Sequence, residues 1–327
     1  MRQTGKSFFR RLAAGLVLAA GCAGAAHAAY PERPIRIIVG FAAGGPADAS
    51  ARLAARILTE SLGQSVVVEN RVGAGGGIAT LAVKQAPGDG YTLLLAAFAD
   101  VLNPIMNPEA RYNLANDFKA VTRITGVGNV LMVHPSLPVK DLQELLALAR
   151  KNPGTLNYGS AGVGSAGHLA GELMAGLAKV KLTHVPYKGT AQAQVDLLQG
   201  AIPFMFDSQI SALPNQRSGK LNALAVTTSV RSPGAPGIPT MAEAGLPGYD
   251  LTSWFGVVAP AGTPAAVVET LAAALREGLK RKEARDSLAM LGGAPDDMSP
   301  AEFQNYIRSE NARWRTLFGD GTVRVER

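Results

Sequence analysis

Reactive side chains are scarce in this chain of 327 residues. It has one cysteine, four histidines, 6% aromatics and only 17% charged residues. A single cysteine, Cys22, excludes disulfide staples and a thiolate metal centre. Three histidines follow position 28 (His134, His168, His184), with no H-x-x-x-H and no acidic cluster beside them, so the sequence supports no metal catalysis. Apolar runs long enough to span a bilayer are absent too. The one near the start, Leu12–Ala20, is about half the required length.

What is present is a globular composition, 47% hydrophobic with 37 glycines and 20 prolines. The first residues carry Arg2, Lys6, Arg10 and Arg11, then the short apolar run, then Ala26-His27-Ala28. That order reads as a secretory signal over residues 1–28 and makes the mature protein an exported one. A lipoprotein-type site ending at Cys22 is the alternative, and Ala19, where such sites carry leucine, argues against it. Cleavage after Ala28 removes four basic residues and lowers the formal charge from +7 to +3. The remaining basic face (Arg276, Lys280, Arg281, Lys282, Arg285) has no interleaved aromatics, so nucleic acid is not an expected partner.

Beyond the signal, β-branched runs alternate with helical periodicity. Ile35–Phe41, Ser65–Glu69 and Tyr91–Ala97 read as strands, and helices follow from Ala47 and from Gly77. A second series runs from Val130–Val133 through Leu156–Ser160, Lys181–Val185, Ala201–Phe206 and Ala223–Thr227. A third block has one strand, Thr252–Ala259, and two helices. The first starts at Pro264 with Thr263 as cap, and the second starts from the capping box Ser299–Glu302. The pattern predicts an α/β protein with a largely parallel sheet. The last block is too short for a sheet of its own, so it completes the first. Domain 1 is then 29–126 plus 254–327, domain 2 is 127–253, and the chain crosses near Arg123–Asn129 and Tyr249–Phe255.

Two glycine-rich loops join strand to helix, one in each domain. Phe41–Asp48 includes Phe41, Ala43 and Gly44 and ends in Asp48. Gly162–Gly167 spells G-x-G-x-x-G. A dinucleotide site needs an acid about 20 residues on, and Tyr187-Lys188-Gly189 stands there instead. With export as a second objection, dinucleotide binding is rejected and no cofactor is expected. The physics of the loops remains: glycine admits close backbone approach, and amides at a helix start favour an anion. The two loops together suggest a clamp for a carboxylate. Asp48 closes its loop or faces ligand. Asp207 touches ligand or caps the helix near Ser208, Lys188 pairs with an anion or is solvated, and Trp254 and Phe255 read as hinge packing. Neither Ser160 nor Ser165 fits G-x-S-x-G, because Tyr158 and Val163 hold the first glycine position. A Ser165/His168 hydrolase or transferase is therefore the alternative, not the expectation.

Taken in order, several stretches resemble the Bug-type periplasmic receptors of tripartite tricarboxylate transporters. They are Tyr30–Ile35, Phe41–Asp48, Glu69–Arg71 with Gly73–Gly77, and Pro87–Thr92, then Tyr158–Ser160, Gly162–Ser165 with His168, and Val185–Gly189. Pro239-Thr240 with Glu243 and Gly245, and Trp254–Gly256, complete the set. The resemblance implies a two-lobed Venus-flytrap periplasmic binding protein fold with two crossing strands. It further implies a monomeric, non-enzymatic receptor that grips a small carboxylate and passes it to integral membrane transporter subunits or signals through a membrane sensor. The ligand contacts it implies are Phe41, Ala43, Gly44, Asp48, Ala97, Phe98, Ser160, Ala161, Gly162, Gly164, Ser165, His168, Tyr187, Lys188 and Asp207. The loop Ala97–Asp100 is expected to shape selectivity.

Overall fold

The computed structural model describes residues 30–324. The expected signal segment, with Cys22, lies outside the described residues. Residues 33–327 form one compact unit, and the description below starts at Arg33.

Strand–helix alternation begins with β1 (Ile35–Val39), α1 (Pro46–Leu62), β2 (Val66–Asn70), α2 (Gly77–Lys84) and β3 (Thr92–Ala97). Pro46 opens α1 at a position where its missing N–H costs nothing, and Gly63 ends the helix in the left-handed region, its amide on Thr59 O. Next come α3 (Phe98–Met106), α4 (Leu114–Asp117) and a long β4 (Phe118–Val133). The second series is α5 (Leu142–Lys151), β5 (Asn157–Ser160), α6 (Ala166–Ala178), β6 (Thr183–Pro186), α7 (Thr190–Leu198), β7 (Phe204–Ser208), α8 (Gln209–Arg217) and β8 (Asn222–Val226). The chain ends with β9 (Thr252–Pro260), α9 (Ala265–Leu279), α10 (Lys282–Met290), β10 (Gly293–Pro295) and α11 (Pro300–Gly319).

The strands join in the order β2-β1-β3-β9-β4-β7-β5-β6, with β8 and β10 also on β4. Parallel pairing holds within each series, β2-β1-β3 and β7-β5-β6. The two central strands run antiparallel to their neighbours, and β4 pairs with β9 over its first part and with β7 and β8 over its last. The sheet is therefore mixed, where the alternation alone predicted a largely parallel one.

Two glycines hide the length of β4 from a propensity reading. Gly126 and Gly128 look like breaks, yet a Cβ there would lie 2.9 Å from Thr252 Cγ2 and 2.5 Å from Thr228 Cγ2. They are glycine because neighbouring segments press on the crossing strand. Beyond the crossing, side chains alternate between two cores. Leu131, Val133, Phe204 and Phe206 join one, while Val130, Met132 and Met205 join the other. Each such side chain contributes about 1.5–3 kcal/mol when fully buried. Helices therefore cover this part of the sheet on both faces.

Two local expectations need correction. Ala97–Asp100 is not a loop: Ala97 caps α3 directly at the end of β3. Helix α9 is capped by Pro264, and the Thr263 hydroxyl is buried without a hydrogen-bond partner among the described residues. The Ser299/Glu302 capping box forms as the sequence predicts, with Glu302 N donating to Ser299 Oγ and Ser299 N to Glu302 Oε2. The basic side chains near α10 are solvated and paired, Lys280 with Glu277, Arg281 with Glu60 and Lys282 with Asp286.

Candidate ligand cavity

A cavity of about 570 Å3 opens where three strand-to-helix junctions meet. The first wall is Phe41–Ala47, leading from β1 into α1. The second is Ala97, Phe98, Ala99 and Leu102 at the start of α3. The third is Gly164, Ala166 and Leu169 at the start of α6. Ser253, Trp254 and Phe255 of the crossing strand β9 close the remaining side.

The first junction is held by one carboxylate. Asp48, in the first turn of α1, accepts from Gly44 N (3.0 Å), Arg52 Nε (2.8 Å) and Asn70 Nδ2 (3.0 Å), and Asn70 also reaches Phe41 O (3.0 Å). The hydrogen bond from Arg52 is the main reason its carboxyl titrates at about 2 despite burial. Gly44, at φ +84°, supplies the left-handed turn that this closure needs.

The second junction is built on Asp100, which accepts from Ala97 N (2.8 Å) and from Thr80 Oγ1 (2.7 Å). It is fully buried, and burial pushes its carboxyl up to about 6 against the pull of those two bonds. The third junction turns through Gly162 and Gly164, both at positive φ. Gly162 N donates to Ser160 Oγ (3.0 Å), Gly164 N to His168 Nδ1 (3.1 Å), and His168 N to the capping Ser165 Oγ (3.3 Å). His168 stacks on His184 at 4.0 Å, and His184 Nε2 lies 2.6 Å from Ser160 Oγ. Burial first, and His184 second, hold His168 down to about 4, so it is a neutral imidazole that accepts at Nδ1.

Of the residues singled out in the sequence, Phe41, Ala43, Gly44, Ala97, Phe98 and Gly164 line the cavity together. Asp48, Ser160, Gly162, Ser165 and His168 form the supports just described and do not line it, and neither does half-buried Ala161. The amides of Gly44 and Gly164, expected as donors to an anion, are taken by Asp48 and His168. Tyr187, Lys188 and Asp207 also lie outside the lining. Tyr187 OH donates to Asp196 (2.7 Å), and the Lys188 side chain is exposed. Asp207 accepts from Ser208 N (2.7 Å), Ser211 Oγ (2.6 Å) and Gln194 Nε2 (3.1 Å), which ties it to the start of α8, whose cap is Ser208. Ser165 and His168 do not form a nucleophile–base pair, because the serine oxygen is turned to a backbone amide and the imidazole acceptor to another.

Sequence reasoning missed Pro46, Leu102, Ala166 and Leu169, and it assigned Trp254 and Phe255 to hinge packing. Phe98 and Leu102 stand four apart on α3, and Ala166 and Leu169 three apart on α6. Such apolar spacing signals a core face, and here part of the face borders the cavity.

No Lys, Arg, His, Asp or Glu lines this cavity among the described residues. What faces it is the N-terminal end of three helices, of 17, 9 and 13 residues. First-turn amides lie outside the intrahelical ladder and give a helix end roughly half a positive charge, which the first-turn carboxylates Asp48 and Asp100 offset in α1 and α3 and nothing offsets in α6.

A family model described as "Tripartite tricarboxylate transporter family receptor" matches residues 50–321. The chain belongs to that family. Three solved structures agree with the assignment. Rpa4515 of R. palustris with adipate is 37% identical, with 90% of this chain and 99% of that one covered and a TM-score of 0.76. MatC from Rhodopseudomonas palustris with bound malate is 34% identical, covering 88% and 99%, TM-score 0.72. The periplasmic binding protein BugD is 35% identical, covering 91% and 100%, TM-score 0.73. The fold of this tripartite tricarboxylate transporter receptor is accordingly the two-lobed α/β fold of periplasmic binding proteins, and no described helix is long and apolar enough to cross a membrane.

Proposed function

We propose that this receptor binds a small carboxylic acid in the cavity between the three helix N-termini and delivers it, unchanged, to the membrane subunits of a tripartite tricarboxylate-type transporter. One observation carries the reading: three helix N-termini open on a cavity that no charged side chain lines among the described residues. Of the three, only α6 carries no first-turn carboxylate, since Asp48 and Asp100 sit in the first turns of α1 and α3, so an anion gains most at the α6 end and a neutral solute gains only the apolar wall. The family and the adipate and malate bound to its neighbours support the same ligand class.

The lobes in this reading are 29–126 with 254–327, and 127–253. Among the described residues the strands that connect them are β4 and β9, and ligand held by α1 and α3 on one side and α6 on the other favours the closed form. Only that differential affinity shifts the balance between open and closed states. Residues 1–28 serve as the export signal, and the mature protein acts as a monomer.

A thermal-shift screen of the purified protein against carboxylic acids, matched amides and amines tests this. Acids are expected to raise Tm, with the compound recovered intact by NMR. A panel in which amides or amines stabilise and no acid does, or in which the acid is consumed, overturns the proposal.

A further inference from the structure

A second cavity, of about 300 Å3, lies on the other face of the crossing strands. Side chains alternate along a strand: Ser253 and Phe255 of β9 border the ligand cavity, and Thr252 borders the second. Trp254, on the same face as Thr252, packs at 6.0 Å on Tyr306, which belongs to the second wall too. The floor is bare backbone at Gly126 and Gly128 of β4. One wall is 292–296, around β10, and another is 228–233, after β8. In the proposed lobes these two walls belong to different halves of the protein.

The charges of this pocket do not balance. Arg123 is paired with Asp296 and lies over the Tyr306 ring at 4.5 Å, and Arg231 is paired with Glu243. Asp250, the remaining charged side chain of the wall, accepts from Thr252 Oγ1 (2.8 Å) and forms no ion pair among the described residues. Arg313 donates to the Asp250 main-chain oxygen and has its own partner in Glu310. A donor is left over as well. Gln209 is 2% exposed, its Oε1 accepts from Ser232 Oγ, and its Nε2 bonds to nothing among the described residues. That nitrogen is not sealed in the core as the unpaired atoms of Ser50 and Asn311 are. It opens on the glycine floor, 3.5 Å from where a Gly128 Cβ would stand. Buried amides are paired in nearly all folds. A solute that brings an acceptor to Gln209 and an ammonium to Asp250 satisfies both groups at once.

We infer that this pocket is a second solute site, which takes a small ammonium compound carrying a hydrogen-bond acceptor, and that its occupant tightens binding in the carboxylate cavity. The site goes beyond the proposed function, and the coupling rests on the two lobes of that reading. A rotation about β4 and β9 that opens one face of the crossing closes the other. A molecule held between 228–233 and 292–296 therefore resists opening of the carboxylate cavity. The effect is reciprocal: a bound acid tightens the ammonium compound by the same factor.

The probes 4-aminobutanamide, butanamide and butylamine share a four-carbon chain, and the second lacks the ammonium while the third lacks the acceptor. Calorimetry on the wild type should show 4-aminobutanamide binding about tenfold tighter than either control, the effect of one hydrogen bond to a charged group. Asp250→Asn keeps an oxygen for Thr252 and removes the charge. It should lose about tenfold in 4-aminobutanamide affinity while its affinity for adipate alone stays within about twofold of the wild type. At a concentration that saturates the wild type, 4-aminobutanamide should lower the adipate Kd about fivefold or more, and it should leave that of Asp250→Asn nearly unchanged. The first-ranked acid of the thermal-shift screen replaces adipate should adipate not bind. Equal binding of the three probes, binding of none, or a variant of undiminished affinity overturns the site. An unchanged or raised acid Kd overturns the coupling. A wild type that binds 4-aminobutanamide and no acid refutes the carboxylate reading, and the coupling with it, and leaves the second site standing. Should Asp250→Asn fail to fold, 15N spectra of the wild type decide. The probe should move the Gly126 and Gly128 amides and the Gln209 side-chain amide, and unmoved signals overturn the site.

Discussion

Replacing Asp48 by Asn perturbs the cavity without touching its wall. Asparagine keeps one oxygen to accept from Gly44 N and loses the charge that faces Arg52. The carboxyl titrates at about 2 in the fold against 3.8 unperturbed, and each pKa unit corresponds to about 1.36 kcal/mol. That sets a ceiling of about 2.5 kcal/mol. Arg52 is 57% exposed although Asp48 is only 5% exposed, so water screens the pair and about 1–2 kcal/mol is the expected loss. The sign follows from the depressed pKa. The stabilisation is present above pH 3.8 and disappears as pH falls through about 2. Urea unfolding of both proteins between pH 7 and pH 2 should therefore show a gap that is constant down to about pH 4 and then closes. A gap independent of pH across that range, or no gap at pH 7, refutes the assignment of Asp48 as the charged closure of the first loop.

Asp100 carries the opposite sign. Its carboxyl rises to about 6, so the fold is favoured with Asp100 neutral, and that advantage fades as pH rises from about 4 through 6. Asp100→Asn should flatten this part of the stability–pH curve, and a variant as steep as the wild type contradicts the burial argument. Gly176→Ala tests the seat of the C-terminal segment on α6, where a Cβ would collide with the Thr322 carbonyl. Overpacking of this kind costs about 1–3 kcal/mol. The variant should melt several degrees lower, and removal of residues 320–327 should erase the difference between alanine and glycine. A persisting difference places the strain elsewhere.

Local chemistry in the sequence wrote most of the elements. The Pro46 start, the Gly63 stop and the Ser299/Glu302 box act within a few residues of themselves, so they are legible without a fold. The two glycine loops were legible for the same reason, since positive φ at Gly44 and Gly164 is a local demand. The family resemblance led to the right class of protein because many short motifs keep their order along the chain.

Partnership across distance was not legible. That Asp48 and His168 consume the amides of Gly44 and Gly164 depends on where their side chains point after the loops close. The cavity wall at Leu102, Leu169 and Trp254 looks in sequence like ordinary core, because an apolar residue facing a ligand and one facing a neighbour obey the same periodicity. The mixed sheet arises because β9, from late in the chain, inserts between β3 and β4, a pairing no local propensity encodes. Composition and local turns thus fixed what the pieces are. The long-range packing of β4 and β9 decided that three helix ends share one cavity, since only tertiary contact can bring residues 44, 98 and 166 to the walls of one cavity.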